Sequence, residues 1–167
     1  MGGIGSGNWY RFDKKSTVEE SLSVGIGDFK ERIYHRSVGT FTWTRAGNYV
    51  ASAGYIVTCG DDGPTVILHY RWRDSEDVGV PIQLQTTPTN FGGRRWWFTC
   101  PLAVRGVACN RRVGKIYLPS GGRYFGCRKC HSLTYRSCQE AHQTERLFGR
   151  LGIPYDCEEV RQMFDDY

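Results

Sequence analysis

The chain has 167 residues, 40% hydrophobic and 23% charged, which suits one compact domain or a small domain with an appended module and excludes a disordered segment. No apolar run approaches the roughly 20 residues of a membrane helix, and the glycine-rich start has no apolar signal-peptide core, so a cytoplasmic protein is expected. The net charge of +5 is unevenly spread: residues 94–150 hold 12 Lys/Arg against two acids, a net of +10, whereas residues 1–93 carry −1 and residues 151–167 carry −4.

Residues 1–7 are rich in glycine and have little to order them by themselves. Ser16-Thr17-Val18-Glu19 has capping-box spacing and predicts a short helix beginning near Thr17. A second short helical stretch is expected over residues 28–34. Neither is long enough to persist without tertiary packing.

From Ser37 the apolar period falls to two. Phe41 and Trp43 share a face, Ala46-Gly47-Asn48 turns the chain, and residues 49–58 return. Asp61-Asp62-Gly63-Pro64 is a strong turn signal. The clearest strand follows, with Val66, Leu68, Tyr70 and Trp72 on one face and Thr65, His69, Arg71 and Arg73 on the other. A polar loop is expected over residues 74–77, and then Val78, Val80, Ile82 and Leu84 alternate again. Pro81 within that run points to an edge strand or a bulge. The aromatic and glycine content agrees with a β-rich fold, and no internal repeat is present.

Gly92-Gly93 marks a boundary between an N-terminal segment, residues 1–93, and a cysteine-rich segment, residues 94–136, entered through a strand over 94–99. Residues 137–167 read as a helical, acidic tail, with helical character over 139–149, an interruption at Pro154 and a last helix over 156–164. The fold class expected is α+β, mostly antiparallel β, a meander of about four strands joined to the cysteine-rich segment as one compact unit.

Seven cysteines are an odd number, and in a reducing compartment such residues more often bind metal or stay as buried thiols than form disulfides. Cys127-Arg-Lys-Cys130 is a C-x2-C turn that aims two thiolates at one ion. Cys100 and Cys109 form a second pair that departs from this spacing, because residues 102–108 are inserted between them. Between the pairs lie a strand over 113–118, a Pro119-Ser-Gly-Gly122 turn and a returning strand over 123–126, which is the plan of a zinc ribbon. Four thiolates fill a tetrahedral zinc shell and leave no position for water, so Cys100, Cys109, Cys127 and Cys130 predict one structural Zn2+. His131 and Cys138 are substitute ligands, although His131 directly follows Cys130 and is expected to point away. The plainer alternative keeps only Cys127 and Cys130 close, with the others as buried thiols. Cys59 and Cys157 read as core cysteines.

The runs Phe91-Gly-Gly-Arg-Arg-Trp-Trp-Phe-Thr-Cys-Pro, Cys109-Asn-Arg-Arg-Val-Gly-Lys-Ile-Tyr-Leu-Pro and Tyr124-Phe-Gly-Cys-Arg-Lys-Cys-His, with the Gly-Ser-Gly-x-Trp start at residues 5–9, resemble a family of uncharacterised bacterial and phage zinc-ribbon proteins. The resemblance covers most of the chain. It implies the same four zinc ligands and a phage or mobile-element setting, and it implies no activity. Where that family often has Gly after the second ligand, this chain has Asn110, which also tolerates a left-handed backbone.

Arg94, Arg95, Arg111, Arg112, Lys115, Arg123, Arg128, Lys129 and Arg136 lie on or beside the predicted ribbon, interleaved with Trp96, Trp97, Tyr117, Tyr124, Phe125 and Tyr135. Cations for phosphates and flat rings for bases are the ingredients of nucleic-acid binding, so the expected partner is nucleic acid, alone or within a host protein–nucleic acid complex. The plainer reading puts the rings in the core and leaves the arginines as a solvated or internally paired face. A second expectation, different in class, is a phage-encoded inhibitor or adaptor that binds protein through the acidic tail. The sequence has no phosphate loop, metalloprotease motif or nucleophile elbow. A metal-dependent nuclease would have to assemble its carboxylates from Asp61, Asp62, Asp74, Glu76 and Asp77, residues that turns employ for other reasons. Neither membrane attachment nor a small-molecule substrate is expected.

Overall fold

The computed structural model describes residues 15–60, 63–73, 75–90 and 92–140. By its contacts the chain divides into two units, Met1–Leu133 and Thr134–Tyr167.

The first unit is mostly antiparallel β. Strands β2 (Ser37–Arg45), β3 (Asn48–Gly60), β4 (Gly63–Trp72) and β5 (Glu76–Pro88) form the predicted meander, extended by β6 (Arg94–Thr99) and β9 (Arg112–Val113) into a six-stranded sheet in the order β2-β3-β4-β5-β6-β9. Alternation fixes its faces. Val57, Val66 and Ile82 lie in one cross-strand row, and Tyr55, Leu68 and Val80 in the next, all buried. Gly39 pairs with Tyr55, and a Cβ there would overlap the phenol, so the meander depends on glycine at this close approach.

Pro81 sits where the sequence places it and causes no bulge. Residues 76–83 of β5 pair with β4 only, whereas residues 84–88 pair with β6, so the proline lies on a stretch whose far side has no partner strand among the described residues. Glu76 and Asp77, expected in a loop, begin β5 instead and pair with Trp72 and Arg71. Gly92 and Gly93, expected as a boundary, turn the β5–β6 hairpin with φ of 78° and 97°, a backbone that glycine adopts without strain.

The helix expected near Thr17 is absent. Thr17 Oγ1 accepts from the Glu20 N–H at 3.3 Å and Glu20 Oε2 accepts from the Thr17 N–H at 3.4 Å, so the capping exchange forms one residue later than read and closes a single turn. The chain then enters β1 (Leu22–Gly25), a strand the sequence did not suggest, which pairs with β10 (Lys115–Leu118) and buries Val24 against Ile116. The stretch expected over 28–34 becomes two tight 3-10 segments, Ile26–Asp28 and Lys30–Tyr34. They place Phe29 on the inner face of the sheet, in edge contact with Phe41, Tyr55 and Phe98 at centroid distances of 5.5, 5.1 and 5.8 Å.

The same inner face holds the cysteine-rich segment. Phe125 is fully buried between Trp43 (stacked, 6.1 Å) and Tyr70 (edge-on, 5.4 Å). Tyr70 donates its hydroxyl to the Arg123 carbonyl at 2.6 Å, and Trp72 Nε1 donates to the Gly122 carbonyl at 3.0 Å. The meander's inward aromatics therefore hold the 119–126 loop in place.

Helix is scarce among the described residues. In the second unit α1 (Arg136–Glu140) spans five residues. The rest of the expected tail helices, from residue 141 onward, lies outside the described residues, as do residues 1–14. No helix among the described residues is long and apolar enough to cross a membrane.

Candidate metal centre

Two loops bring four cysteines together. In the first, Cys100 leaves β6, its N–H bonded to the Arg111 carbonyl at 2.9 Å. The insertion before Cys109 is a small hairpin, β7 (Ala103–Val104) and β8 (Val107–Ala108), turned by Arg105 and Gly106 at φ of 53° and 79°. Its base is closed by the Cys109 N–H donating to the Leu102 carbonyl at 2.8 Å. Residues 103–108 thus leave and re-enter at one point. Without them the loop reads Cys-Pro-Leu-Cys, the C-x2-C spacing of the second pair. Asn110 then takes the left-handed backbone, φ 47°, that its side chain tolerates.

In the second loop the Cys130 N–H donates to Cys127 Sγ at 3.4 Å, and the Cys127 N–H donates across to Cys100 Sγ at 3.3 Å. The strand expected over 123–126 is reduced to a two-residue pairing of Tyr117 with Gly126, because Gly122 and Arg123 are drawn to Trp72 and Tyr70. At Gly126 the two loops touch. A Cβ there would overlap Leu102 of the first loop and come within 3.1 Å of His131 Nε2 of the second.

The four sulfur atoms of Cys100, Cys109, Cys127 and Cys130 all lie within 4.8 Å of one another. Cys100 Sγ is 3.8 Å from Cys130 Sγ, and Cys109 Sγ is 3.9 Å from Cys127 Sγ. A disulfide needs about 2.05 Å, and the described cysteines are all free. A tetrahedron with metal–sulfur bonds of about 2.3 Å has edges of about 3.8 Å, so the donor set has the size to hold one metal ion.

The thiols compete for charge. Burial pushes Cys100 up, against the amides of Leu102 and Cys127 that favour its thiolate. Burial also raises Cys127, but hydrogen bonds from the Cys130 amide and from the neighbouring thiols together outweigh it and bring this group to about 7. Cys130 is raised strongly, by burial first and then by its thiol neighbours. Close-packed thiolates repel each other, and a central cation removes that repulsion. Arg111 adds positive charge from outside, with Nη1 3.9 Å from Cys127 Sγ.

The substitute ligands stay out of this cluster. His131 is half buried and held below its usual pKa by burial, and its Nε2 packs towards Gly126 with no hydrogen-bond partner. Cys138 is exposed in the second unit. Cys59, expected in the core, is also exposed. It lies at the end of β3, beyond the packed rows, with Sγ towards the Ile33 carbonyl at 3.8 Å. Cys157 lies outside the described residues.

The nine basic residues fall into distinct environments. Arg94, Arg95, Arg112 and Lys115 are exposed on β6, β9 and β10. Lys129 is exposed in the Cys127–Cys130 turn, and Arg128 beside it is half buried, reaching the Leu133 carbonyl at 3.5 Å. Arg123 is engaged within the chain: it pairs with Glu76 and lies over the rings of Trp72 and Tyr124 at 5.5 and 5.1 Å. Arg136 opens α1. The rings divide similarly. Phe125 is core and inaccessible to a base, and Trp96 turns to the inner side, where it bonds Tyr34. Trp97 faces the other way. Tyr117 is half buried, and Tyr124 and Tyr135 are exposed. Of the acids weighed for a nuclease, Glu76 pairs with Arg123 and Asp77 with Arg71, and Asp61, Asp62 and Asp74 lie outside the described residues.

Gln85, Thr87 and Thr99 were not singled out from sequence, yet they share an outer sheet face with Arg95 and Arg112. Their signal was the parity opposite the buried Ile82 and Leu84. Compared with protein-family models, with curated proteins and with solved structures, the chain has no significant match.

Proposed function

We propose that this chain is a zinc-stabilised nucleic-acid-binding protein. Zinc is the metal that four thiolates at tetrahedral spacing favour, and with its shell full it acts as a structural cross-link. The site then carries a net charge of about −2, from four thiolates and one divalent ion. Arg111, beside Cys127, offsets part of it. The proposal extends to membership of the bacterial and phage zinc-ribbon proteins that the cysteine runs resemble, with the 103–108 hairpin as an elaboration of the first loop.

One observation carries the nucleic-acid reading. Residues 78–139 contain ten Lys/Arg and not one Asp or Glu. β6, β9, β10 and both cysteine loops come from this stretch, so their exposed cations meet no acid of their own segment. A surface of that kind is attracted to phosphates and releases counterions on binding. The test is capture of partners from a bacterial lysate on the zinc-loaded protein, with and without nuclease. Partners lost on digestion, together with binding to bare DNA or RNA that weakens steeply with salt, support the reading. A defined protein complex that survives digestion overturns it.

That second outcome corresponds to the alternative reading, a phage-encoded adaptor or inhibitor of a host nucleic-acid complex. Its support is the β7–β8 hairpin, whose Val104 and Val107 stand exposed beside a groove of about 410 Å3 lined also by Arg111 and Lys129.

A further inference from the structure

The outer face of the sheet changes character along its strands. Over β2 to β5 it carries an apolar row, Val38–Ile56–Ile67–Pro81. Over the end of β5, β6 and β9 it carries amides, hydroxyls, one indole and arginines. The strand pairings place Gln85 beside Trp97, Thr87 beside Arg95, and Thr99 beside Arg112, and directly paired residues share a face.

These side chains are already ordered. Trp97 Nε1 donates to Thr87 Oγ1 at 2.9 Å, and Gln85 Nε2 donates to Thr99 Oγ1 at 2.7 Å. The far end of the indole reaches Gly114, just after β9, where Cζ3 is 3.9 Å from the position a Cβ would take. The ring is thus anchored on β5 at one end and reaches Gly114, between β9 and β10, at the other. The Arg95 guanidinium lies over it, 4.2 Å from the centroid. Arg95 and Arg112 are both exposed.

We infer that this face, built on Gln85, Thr87, Arg95, Trp97, Thr99 and Arg112, is a platform for single-stranded nucleic acid. The inference rests on the nucleic-acid reading above and names its site and strandedness. A stacked indole and guanidinium offer a flat π and cationic surface that a base meets face-on. In a duplex each base face is covered by its neighbours, so only an unpaired base reaches it. A sheet face also lacks the protruding helix or two-stranded ribbon that enters a major groove. Arg112 stands at the other end of the strip for a phosphate, and the amide of Gln85 lies between for a base edge. No acid occurs in the sequence of β6, β9 or the residue 84–88 part of β5, so an anionic strand meets no opposing charge there.

The experiment is an anisotropy titration of a fluorescein-labelled oligothymidine, and of a duplex of equal length, with the full zinc-loaded chain. The wild type binds the single strand more tightly. Trp97→Ala weakens it about 10- to 100-fold, the loss of one stacked base, and Trp97→Phe retains most of the affinity. Arg112→Ala lowers the salt slope by about one. Arg71→Ala, on the same outer face but away from the strip, leaves binding unchanged. If Trp97→Ala does not fold, the charge reversals Arg95→Glu and Arg112→Glu decide, both being exposed. A wild type that binds while all the strip variants match it overturns the platform and leaves the general nucleic-acid reading standing. Equal or tighter binding to the duplex overturns the strandedness. A wild type that binds neither overturns both readings.

Discussion

Strands β2 to β5 run nine to 13 residues each, whereas the strands of the cysteine-rich segment run two to six. The long strands alternate regularly and bury Val57, Val66, Leu68 and Ile82 completely. Their stability comes from apolar area removed from water. The cysteine-rich segment buries few large apolar side chains between residues 100 and 133, chiefly Ile116, Phe125 and Leu133, and sets Cys100 and Cys127 among them. A segment that small rarely folds on apolar burial alone, so in this region the sulfur cluster stands where the meander has a side-chain core. The two regions meet through the short β5–β6 ladder and through Phe125, Tyr70 and Trp72.

The largest effect that distinguishes them is expected on removal of the proposed zinc. A chelator is expected to abolish hydrogen-exchange protection in β7 to β10 and in both cysteine loops, while β3 and β4 amides stay protected. Simultaneous loss in both regions would show one cooperative unit and break the comparison. Leu68→Ala is the converse probe, expected to lower stability by about 2–5 kcal/mol in urea unfolding while bound zinc stays at the wild-type level. Gly126→Ala forces a methyl group between Leu102 and His131 and is expected to lower stability by about 1–3 kcal/mol. A neutral result there would mean that the two loops are not packed through Gly126.

The smallest effect concerns the contact between regions. Burial raises the Tyr70 pKa to about 12, with the Phe125 backbone and Arg123 opposing it. The folded value lies above the unfolded value of about 10, so this contribution is intact below about pH 10 and fades as the pH rises towards 12. Melting temperatures across that window should fall more steeply for the wild type than for Tyr70→Phe. Parallel curves would remove Tyr70 ionisation from the account.

The meander was legible because a half-buried strand writes its two faces directly into a period of two, and Pro81, which pointed to an edge strand or a bulge, lies on the part of β5 that has no partner beyond β4 among the described residues. The cysteine quartet was legible because ligand spacing is local. β1 was not: Leu22–Gly25 is too short to show a period, and only its partner β10, far along the chain, makes it a strand. The residues between Cys100 and Cys109 read as an insertion because the Leu102–Cys109 closure that restores C-x2-C geometry is a tertiary fact. Trp96 and Trp97 are adjacent and chemically alike, yet strand parity sends one inward to Tyr34 and the other outward under Arg95.

Cys100, Cys109, Cys127 and Cys130 are proposed to hold one zinc that stabilises the segment around them. Metal analysis of the purified chain beside Cys127→Ser, with a thermal melt of each, tests this most directly. One zinc per wild-type chain is expected, with little or none in Cys127→Ser and a markedly lower melting temperature for the variant. A wild type without zinc, or a variant that melts as the wild type does, would contradict it.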